Sequence, residues 1–398
     1  MQDARIISAF ANSLEASPTM AMDTLAKKLQ AEGKDVLSFA IGEPDFPTPA
    51  NICEAAKAAI DRGLTKYTPA SGLPALKQAI VAAAERDLGL RYEPDQVVVS
   101  NGGKHALMNV WRTLLDPGDE VLLFAPYWVS YPEQIRMAGG VPKVIPTSGD
   151  NDFQPDLDQV RAAITKRTVA MLINSPSNPS GGVFSQETIE GLGRIAQSNG
   201  LVIISDEIYK HILFDGRTHC STAQLDDDLK ERTIIVDGVA KTYAMTGWRI
   251  GWMIAPKEFA KRAGNIQSQE TSNPCSISQA AAIEALTGPQ ESVAQMCAAF
   301  EERRNYLVPA LNAIPGFKCP NPGGAFYVFP DISAHFGRTL RGVTINNSKD
   351  FVLYLLEHAN VSTVHGSASG SEGYFRISFA CSMEQLQEGV RRITEALA

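Results

Sequence analysis

The 398-residue sequence has no run of lysine or arginine, and its formal net charge is -8. A nucleic-acid binder needs a concentrated basic face, so that class is excluded, while a local cationic pocket for a small anion is not. Long hydrophobic runs are also missing. Stretches such as "VLLFAPYWV" are far too short to cross a bilayer, so no membrane partner is expected. The N-terminal "MQDARIISAFANSLEASPTM" lacks a basic leader followed by a long apolar segment, and a cytoplasmic protein is expected. Cys53, Cys220, Cys275, Cys297, Cys319 and Cys381 are scattered, with no CxxC and no histidine at ligand spacing. They read as reduced structural thiols, with neither disulfide nor metal. "NNS" at 346–348 matches a glycan acceptor, a short motif without weight in the absence of a secretion signal. There is no internal repeat and no low-complexity tract.

What remains is the composition of an ordinary globule, 44% hydrophobic and 20% charged. The length exceeds what one hydrophobic core usually serves, so unequal domains are expected. From about residue 95 to 256, β-rich runs alternate with helical stretches: "QVVVS", "EVLLFAPYW", "TVAMLIN", "LVIISDEIY" and "TIIVDGV" are each short and rich in Val, Ile and Leu without polar alternation. Strands buried on both faces call for a mostly parallel sheet wrapped by helices, an α/β domain. The C-terminal part, with "GGAFYVFPD", "KDFVLYLLEHAN", "VSTV", "GYFRISFA" and a last helix opened by Ser382 and Gln385 at capping-box spacing, suggests a smaller α+β domain. The expected division is 1–48 as N-terminal arm and part of the small domain, 49–290 as the large α/β domain, and 291–398 as the small domain. Within the first segment, "ASPTMAM" and "AIGEPDFPTP" read as arm and connection rather than as a sheet unit.

Ligands of such sheets bind beyond the carboxyl ends of the strands, so the residues there are the candidates. Asn101, Gly102, Gly103 and Lys104 form a strand-to-helix turn, where freed backbone N–H groups and the helix dipole suit an anion; a plain tight turn is the alternative. Trp128 is either a core plug or a plate for a flat ring. Asn178 sits on the "SPSNPSGG" turn, while Asp206, Glu207 and Tyr209 end a buried strand, where a carboxylate is costly without a cation or donor. "AKTYAMTGWRIG" brings Lys241, a candidate amine nucleophile if desolvated, and Arg249, a planar fork for phosphate, with Gly247 and Gly251 allowing close approach.

These motifs, with "GEPDFPTP", "KYTPASGLPALKQAI", "NGGKHAL", "PYWVSYPE", "NSPSNPSGG", "SDEIY", "GGAFYVF" and "FRISFA", run nearly end to end. Together they resemble the class I, fold-type-I pyridoxal-phosphate aminotransferases, in their bacterial aspartate and prephenate branch. The resemblance implies pyridoxal 5'-phosphate as cofactor. It implies that Lys241 forms the Schiff base with the cofactor aldehyde, that Arg249 and the amides of Gly102, Gly103 and Lys104 hold the phosphate, and that Asp206 faces the ring nitrogen. Asn178 and Tyr209 match the pair that bonds the ring oxygen, and Trp128 the ring's stacking partner. Arg376 matches the fork for the substrate α-carboxylate, with Gly42 close to the same group. Tyr67 matches a residue that reaches the phosphate of a neighbouring subunit, which implies a homodimer with shared sites. The implied reaction moves an amino group between an L-amino acid, aspartate or glutamate, and a 2-oxo acid by a ping-pong route.

Some positions depart from the pattern. Gly238 stands where many relatives carry a phosphate-binding serine, and Tyr131 where the animal-type aspartate enzymes place a histidine behind the ring-nitrogen carboxylate. "NIQSQETSNPCSIS" lacks the arginine that reads a distal carboxylate in those enzymes, and the arm position that can supply a lysine reads Glu15. Arg112 and Thr19 are the candidate side-chain readers. A broad aromatic or prephenate aminotransferase and a carbon–sulfur β-lyase are the alternatives on the same site. "GLGRIA" at 191–196 fits a dinucleotide GxGxxA, but within a helical stretch that precedes a strand, the wrong context for that fingerprint. A regulator with a DNA-binding module is not expected, since about 45 residues precede the first α/β unit.

Overall fold

The computed structural model describes residues 6–14 and 16–398; Glu15 lies outside the described residues. Its centre is a seven-stranded sheet. In chain order the strands are β1 (Val97–Ser100), β2 (Glu120–Ala125), β3 (Val141–Pro146), β4 (Thr168–Asn174), β5 (Val202–Asp206), β6 (Thr233–Gly238) and β7 (Gly251–Ile254). Their spatial order is β1-β7-β6-β5-β4-β2-β3. β2 through β6 pair in parallel, and β7 runs antiparallel between β6 and β1. The mostly parallel sheet is as expected from the apolar runs, whereas β3 and β7 are strands that those runs did not announce.

The apolar strands are covered on both faces. Val97 and Val99 join a core with Trp252, Ile254, Ile80 and Ala282, while Val98 and Met253 point the other way, among Leu107, Trp111 and Ala263. Successive side chains point to opposite faces of a strand, so a strand sandwiched by helices must be apolar at every position. β3 shows the contrast: it is an edge strand with Pro142, Lys143 and Pro146, and Val141 and Val144 are exposed. Proline and lysine blunt an edge against further pairing, at the cost of the hydrophobic signature by which the strand would be found.

A separate core gathers Phe300, Phe326, Phe351, Phe375, Phe379, Leu386 and Ile393, together with Met22, Val36 and Phe39 from the N-terminal segment. It lies on an antiparallel sheet of Val364–His365, Phe375–Ser378 and Tyr327–Val328. Leu37–Ser38 pairs in parallel with Val361–Ser362, so the segment expected to be arm and connection does contribute a strand. Only two residues pair there, too few to leave a periodic pattern. The helix Met383–Leu397 opens with the Ser382–Gln385 capping box. "GLGRIA" lies inside the helix Gln186–Asn199, which is capped by Ser185 and ends at Gly200 in the left-handed region. All six cysteines are unbridged. Among the described residues, no helix is long and apolar enough to cross a membrane.

Candidate active site

The carboxyl ends of the parallel strands and the second core enclose a cavity of about 490 Å³. Asn174 ends β4, Asp206 ends β5, and Lys241 follows β6. Gly42, Gly103, Lys104, Trp128, Asn178, Tyr209, Arg249 and Arg376 line the same cavity, as does Thr19. Residues from distant parts of the chain thus converge because each follows a strand of one sheet or packs on it from the second core. Two candidates lie elsewhere. Tyr67 is 92% exposed, and Arg112 is ion-paired with Glu270 rather than facing the cavity.

Asp206 is buried and, among the described residues, has no cation as a hydrogen-bond partner: Tyr131 Oη donates to Oδ2 at 2.7 Å and the Ile208 N–H to Oδ1 at 3.3 Å. Burial raises its pKa to about 6, the two donors oppose that shift, and Asp237 and Glu207 add to it. Tyr131 therefore occupies the place behind this carboxylate. Asn174, not singled out from the sequence, ties the region together, donating from Nδ2 to Asp206 O at 3.1 Å and accepting the Asn178 N–H at 3.0 Å.

Burial pushes the Lys241 ammonium down to about 8; Glu43 opposes this, and Arg376 and Arg249 reinforce it. A desolvated amine of this kind carries a substantial neutral, nucleophilic fraction near neutral pH. Its Nζ donates to Gly42 O at 2.5 Å. Arg376 is buried, donates from Nη1 to Asn178 Oδ1 at 2.9 Å and from Nη2 to Ala40 O, and lies 4.8 Å from the Tyr327 ring centroid. Its Nε is buried without a hydrogen-bond partner among the described residues. Such an orphaned donor is costly unless a ligand completes it.

Tyr327 was missed by sequence reasoning. Its hydroxyl is 2.8 Å from that of Tyr209, and a Cβ on Gly42 would lie 2.3 Å from it, so glycine is needed at 42 to let Tyr327 in. The available signal was register: Tyr327 pairs with Ser378, two residues beyond Arg376 on the same face of its strand.

At the cradle, Gly102 caps the helix Gly103–Leu114 with φ at 89°. A Cβ there would lie 2.7 Å from Arg249 Nη2, and one on Gly251 would lie 2.3 Å from Gly103 N. Gly251 thus provides close approach as anticipated, but to the cradle backbone. Gly247 meets nothing within 4 Å among the described residues, so no protein group makes the close approach there. Gly238 also has its reason: a Cβ would sit 2.9 Å from Ile250 O, which leaves no room for the serine of other sequences.

Residues 34–393 match the family described as "Aminotransferase class I and II". The chain belongs to that family. It is 47% identical over 381 residues to an aspartate aminotransferase of Geobacillus stearothermophilus, covering 96% of each chain. It is 46% identical to an aspartate/prephenate aminotransferase of Cereibacter sphaeroides, covering 95% of each. Its structure superposes on an aspartate aminotransferase from Thermus thermophilus with maleate at TM-score 0.93 and 40% identity, covering 98% of this chain and 100% of that one. The protein is an aminotransferase of a pyridoxal-phosphate-dependent family. The cavity suits that cofactor: a buried carboxylate without a cation, a desolvated lysine, and an arginine against a glycine turn are the groups that a pyridinium, an aldehyde and a phosphate require.

Proposed function

We propose that this aminotransferase takes dicarboxylic amino donors, aspartate or glutamate, and delivers the amino group to a 2-oxo acid in a ping-pong sequence. The observation that carries the reading is Lys104. Its ammonium lines the cavity that also holds Arg376, and 4.9 Å from its Nζ lies the Trp128 ring centroid. No carboxylate pairs with it among the described residues, whereas Lys27, on the same wall, is held by Asp23. Burial lowers the Lys104 pKa and Arg249 adds to the shift, so an incoming anion relieves it. With Arg249 assigned to phosphate and Arg376 to the α-carboxylate, Lys104 is left for a distal carboxylate, with Thr19 beside the same space. The Thermus relative, solved with the dicarboxylate maleate, is consistent with this reading.

The remaining assignments follow the chemistry of each group. Pyridoxal phosphate, when bound, supplies an aldehyde for the amino group and an electron-withdrawing ring. The cradle amides of Gly102, Gly103 and Lys104 and the Arg249 fork hold the phosphate. Asp206 keeps a negative charge facing the ring nitrogen, and Tyr131 fixes its orientation. Asn178 gives its amide oxygen to Arg376, which leaves its amide nitrogen, with the Tyr209 hydroxyl, for the ring oxygen. Trp128 covers the ring face, and Arg376 with Gly42 aligns the substrate so that its Cα–H faces Lys241. Lys241 Nζ takes the proton from Cα of the donor in the first half and returns one to Cα of the new amino acid in the second.

The exposed Tyr67, Ile60 at 52% and Phe10 at 49% support a homodimer in which Tyr67 reaches the partner's phosphate. The separate core around Phe300, Phe326 and Phe351, which takes in Met22, Val36 and Phe39, supports the division at 49–290 and 291–398, with 1–48 joining the latter. Unbridged thiols fit a cytoplasmic protein. Prephenate as an additional acceptor is a second reading, favoured by the Cereibacter relative's name and by the two carboxylates that this acceptor carries.

The test is a half-reaction followed by absorbance. The pyridoxal-phosphate-loaded protein is mixed separately with aspartate, glutamate, phenylalanine and alanine, without an oxo acid. Conversion by the dicarboxylates at far lower concentrations supports the reading, and preference for phenylalanine or alanine overturns it. With an S-substituted cysteine in place of these donors, release of pyruvate, ammonia and the thiol would indicate a β-lyase.

A further inference from the structure

The helix Lys257–Glu270 carries a buried glutamine that the chemistry above does not use. Gln267 is fully buried, and its side-chain Nε2 donates to Val99 O at 2.7 Å and Ala70 O at 2.6 Å. Its Oε1 accepts from Ser100 Oγ at 2.6 Å and from Asn109 Nδ2 at 2.9 Å. A primary amide has two N–H donors and two lone pairs, so its hydrogen-bonding capacity is full.

The partners lie at informative places. Val99 and Ser100 end β1, an edge strand, and run directly into the turn at Gly102 and Gly103. Asn109 lies on the helix that this turn opens. Ala70 belongs to the loop that carries Tyr67. That loop closes the outer edge of β1: Val99 N donates to Ser71 O at 3.0 Å, and a Cβ on Gly72 would lie 2.7 Å from Val99 Cβ. Gln279 holds the loop from its other side, accepting the Leu73 N–H at 2.7 Å and donating to Thr68 Oγ1 at 3.1 Å.

We infer that Gln267 is a positioning residue for the cofactor phosphate, registering the Gly102–Gly103 turn of its own chain against the loop that presents Tyr67 to the partner. One amide then sets the phosphate grip of both sites of a dimer. The inference rests on the proposed phosphate-binding roles of the turn, Arg249 and Tyr67.

The experiment compares two probes that differ only in the phosphate. Full-length protein is dialysed to equilibrium against pyridoxal phosphate and, in parallel, against pyridoxal, and bound ligand is read by absorbance. Gln267→Leu is expected to weaken pyridoxal phosphate about tenfold while leaving pyridoxal within about twofold. If both probes weaken equally, or neither does, the glutamine only braces the sheet edge and the inference fails. Ser100→Ala, which removes one of the bonds, is expected to move the same ratio by about threefold and serves if Gln267→Leu does not fold. Arg249→Gln separates the two levels: if it leaves the ratio unchanged, the phosphate assignment itself is wrong. If it lowers the ratio and Gln267→Leu does not, only the inference about Gln267 falls.

Hybrid dimers test the reach to the partner. A chain carrying Gln267→Leu and Lys241→Ala is paired with one of native sequence, so that the single working site receives Tyr67 from the variant. Weaker retention of pyridoxal phosphate in that site, relative to a hybrid whose partner carries Lys241→Ala alone, is the expected result. Equal retention overturns the coupling. Sedimentation as a monomer removes the dimer and the coupling together, and leaves the effect within one chain to the probe ratio.

Discussion

Asp206 and Glu207 are chain neighbours, both carboxylates and both buried, yet they titrate in opposite directions. Asp206 faces the cavity with one phenol and one backbone N–H, and burial raises it to about 6. Glu207 faces the other side of the sheet, where the Ser205 and Ser221 hydroxyls donate at 2.8 and 2.6 Å and the His219 ring lies at 3.2 Å. Burial pushes Glu207 upward too, but His219, Lys210 and Ser221 outweigh it and hold the carboxyl at about 2. Lys210 is itself anchored by Asp237 at 2.6 Å. The far side of the sheet surrounds its carboxylate with donors of the protein, and the side that faces the cavity leaves a carboxylate that a cationic ligand would complete.

Exchanging the charges should break this contrast most strongly in turnover. Asp206→Asn is expected to lower kcat about a thousandfold, while the cofactor-free protein unfolds no earlier than the parent, because an uncompensated buried charge has gone. Steady-state kinetics and a denaturation curve check both halves. Glu207→Gln should do the reverse, costing about 3 kcal/mol in urea unfolding by removing the buried charge that the Ser205 and Ser221 hydroxyls, the His219 ring and Lys210 surround, with a much smaller loss in kcat.

Stability against pH sharpens the same pair in the cofactor-free protein. Asp206 has its folded pKa above its unfolded value, so its contribution penalises the folded state above pH 6 and is relieved as the pH falls toward 4. Glu207 has its folded pKa below its unfolded value, so its stabilisation is present above about pH 4.5 and is lost as the pH falls toward 2. The stability of the parent relative to Asp206→Asn should therefore rise by about 2 to 3 kcal/mol between pH 7 and 4; a flat difference would refute the assignment of Asp206 as an uncompensated charge.

Lys104→Met extends the comparison to a cation that has no carboxylate partner among the described residues. KM for aspartate should rise about thirtyfold and KM for alanine should not move. The smallest effect is expected from Tyr131→Phe, about tenfold in kcat with the acid limb of the pH profile moved upward, since the donor that holds Asp206 down is removed.

Much of this was legible in the residues. The apolar runs of β1, β2, β4, β5 and β6 marked a helix-covered parallel sheet, and the motifs at their ends named Lys241, Asp206, Asn178 and Arg249. β3 and Leu37–Ser38 were not visible, because an edge strand with prolines and a strand of two residues carry no apolar period. Tyr327 and Asn174 were passed over because their importance lies in whom they touch.

The sequence by itself determined the family, the cofactor chemistry and the residue types at the strand ends, because those depend on local order along the chain. Tertiary structure alone decided how the charges resolve. It paired Arg112 with Glu270 and Lys27 with Asp23, left Lys104 without a carboxylate among the described residues, and gave Asp206 a phenol where Glu207 has His219. Burial and pairing depend on which distant segments meet. They set the cost of each charge, and so determine which groups the protein satisfies itself and which await a ligand.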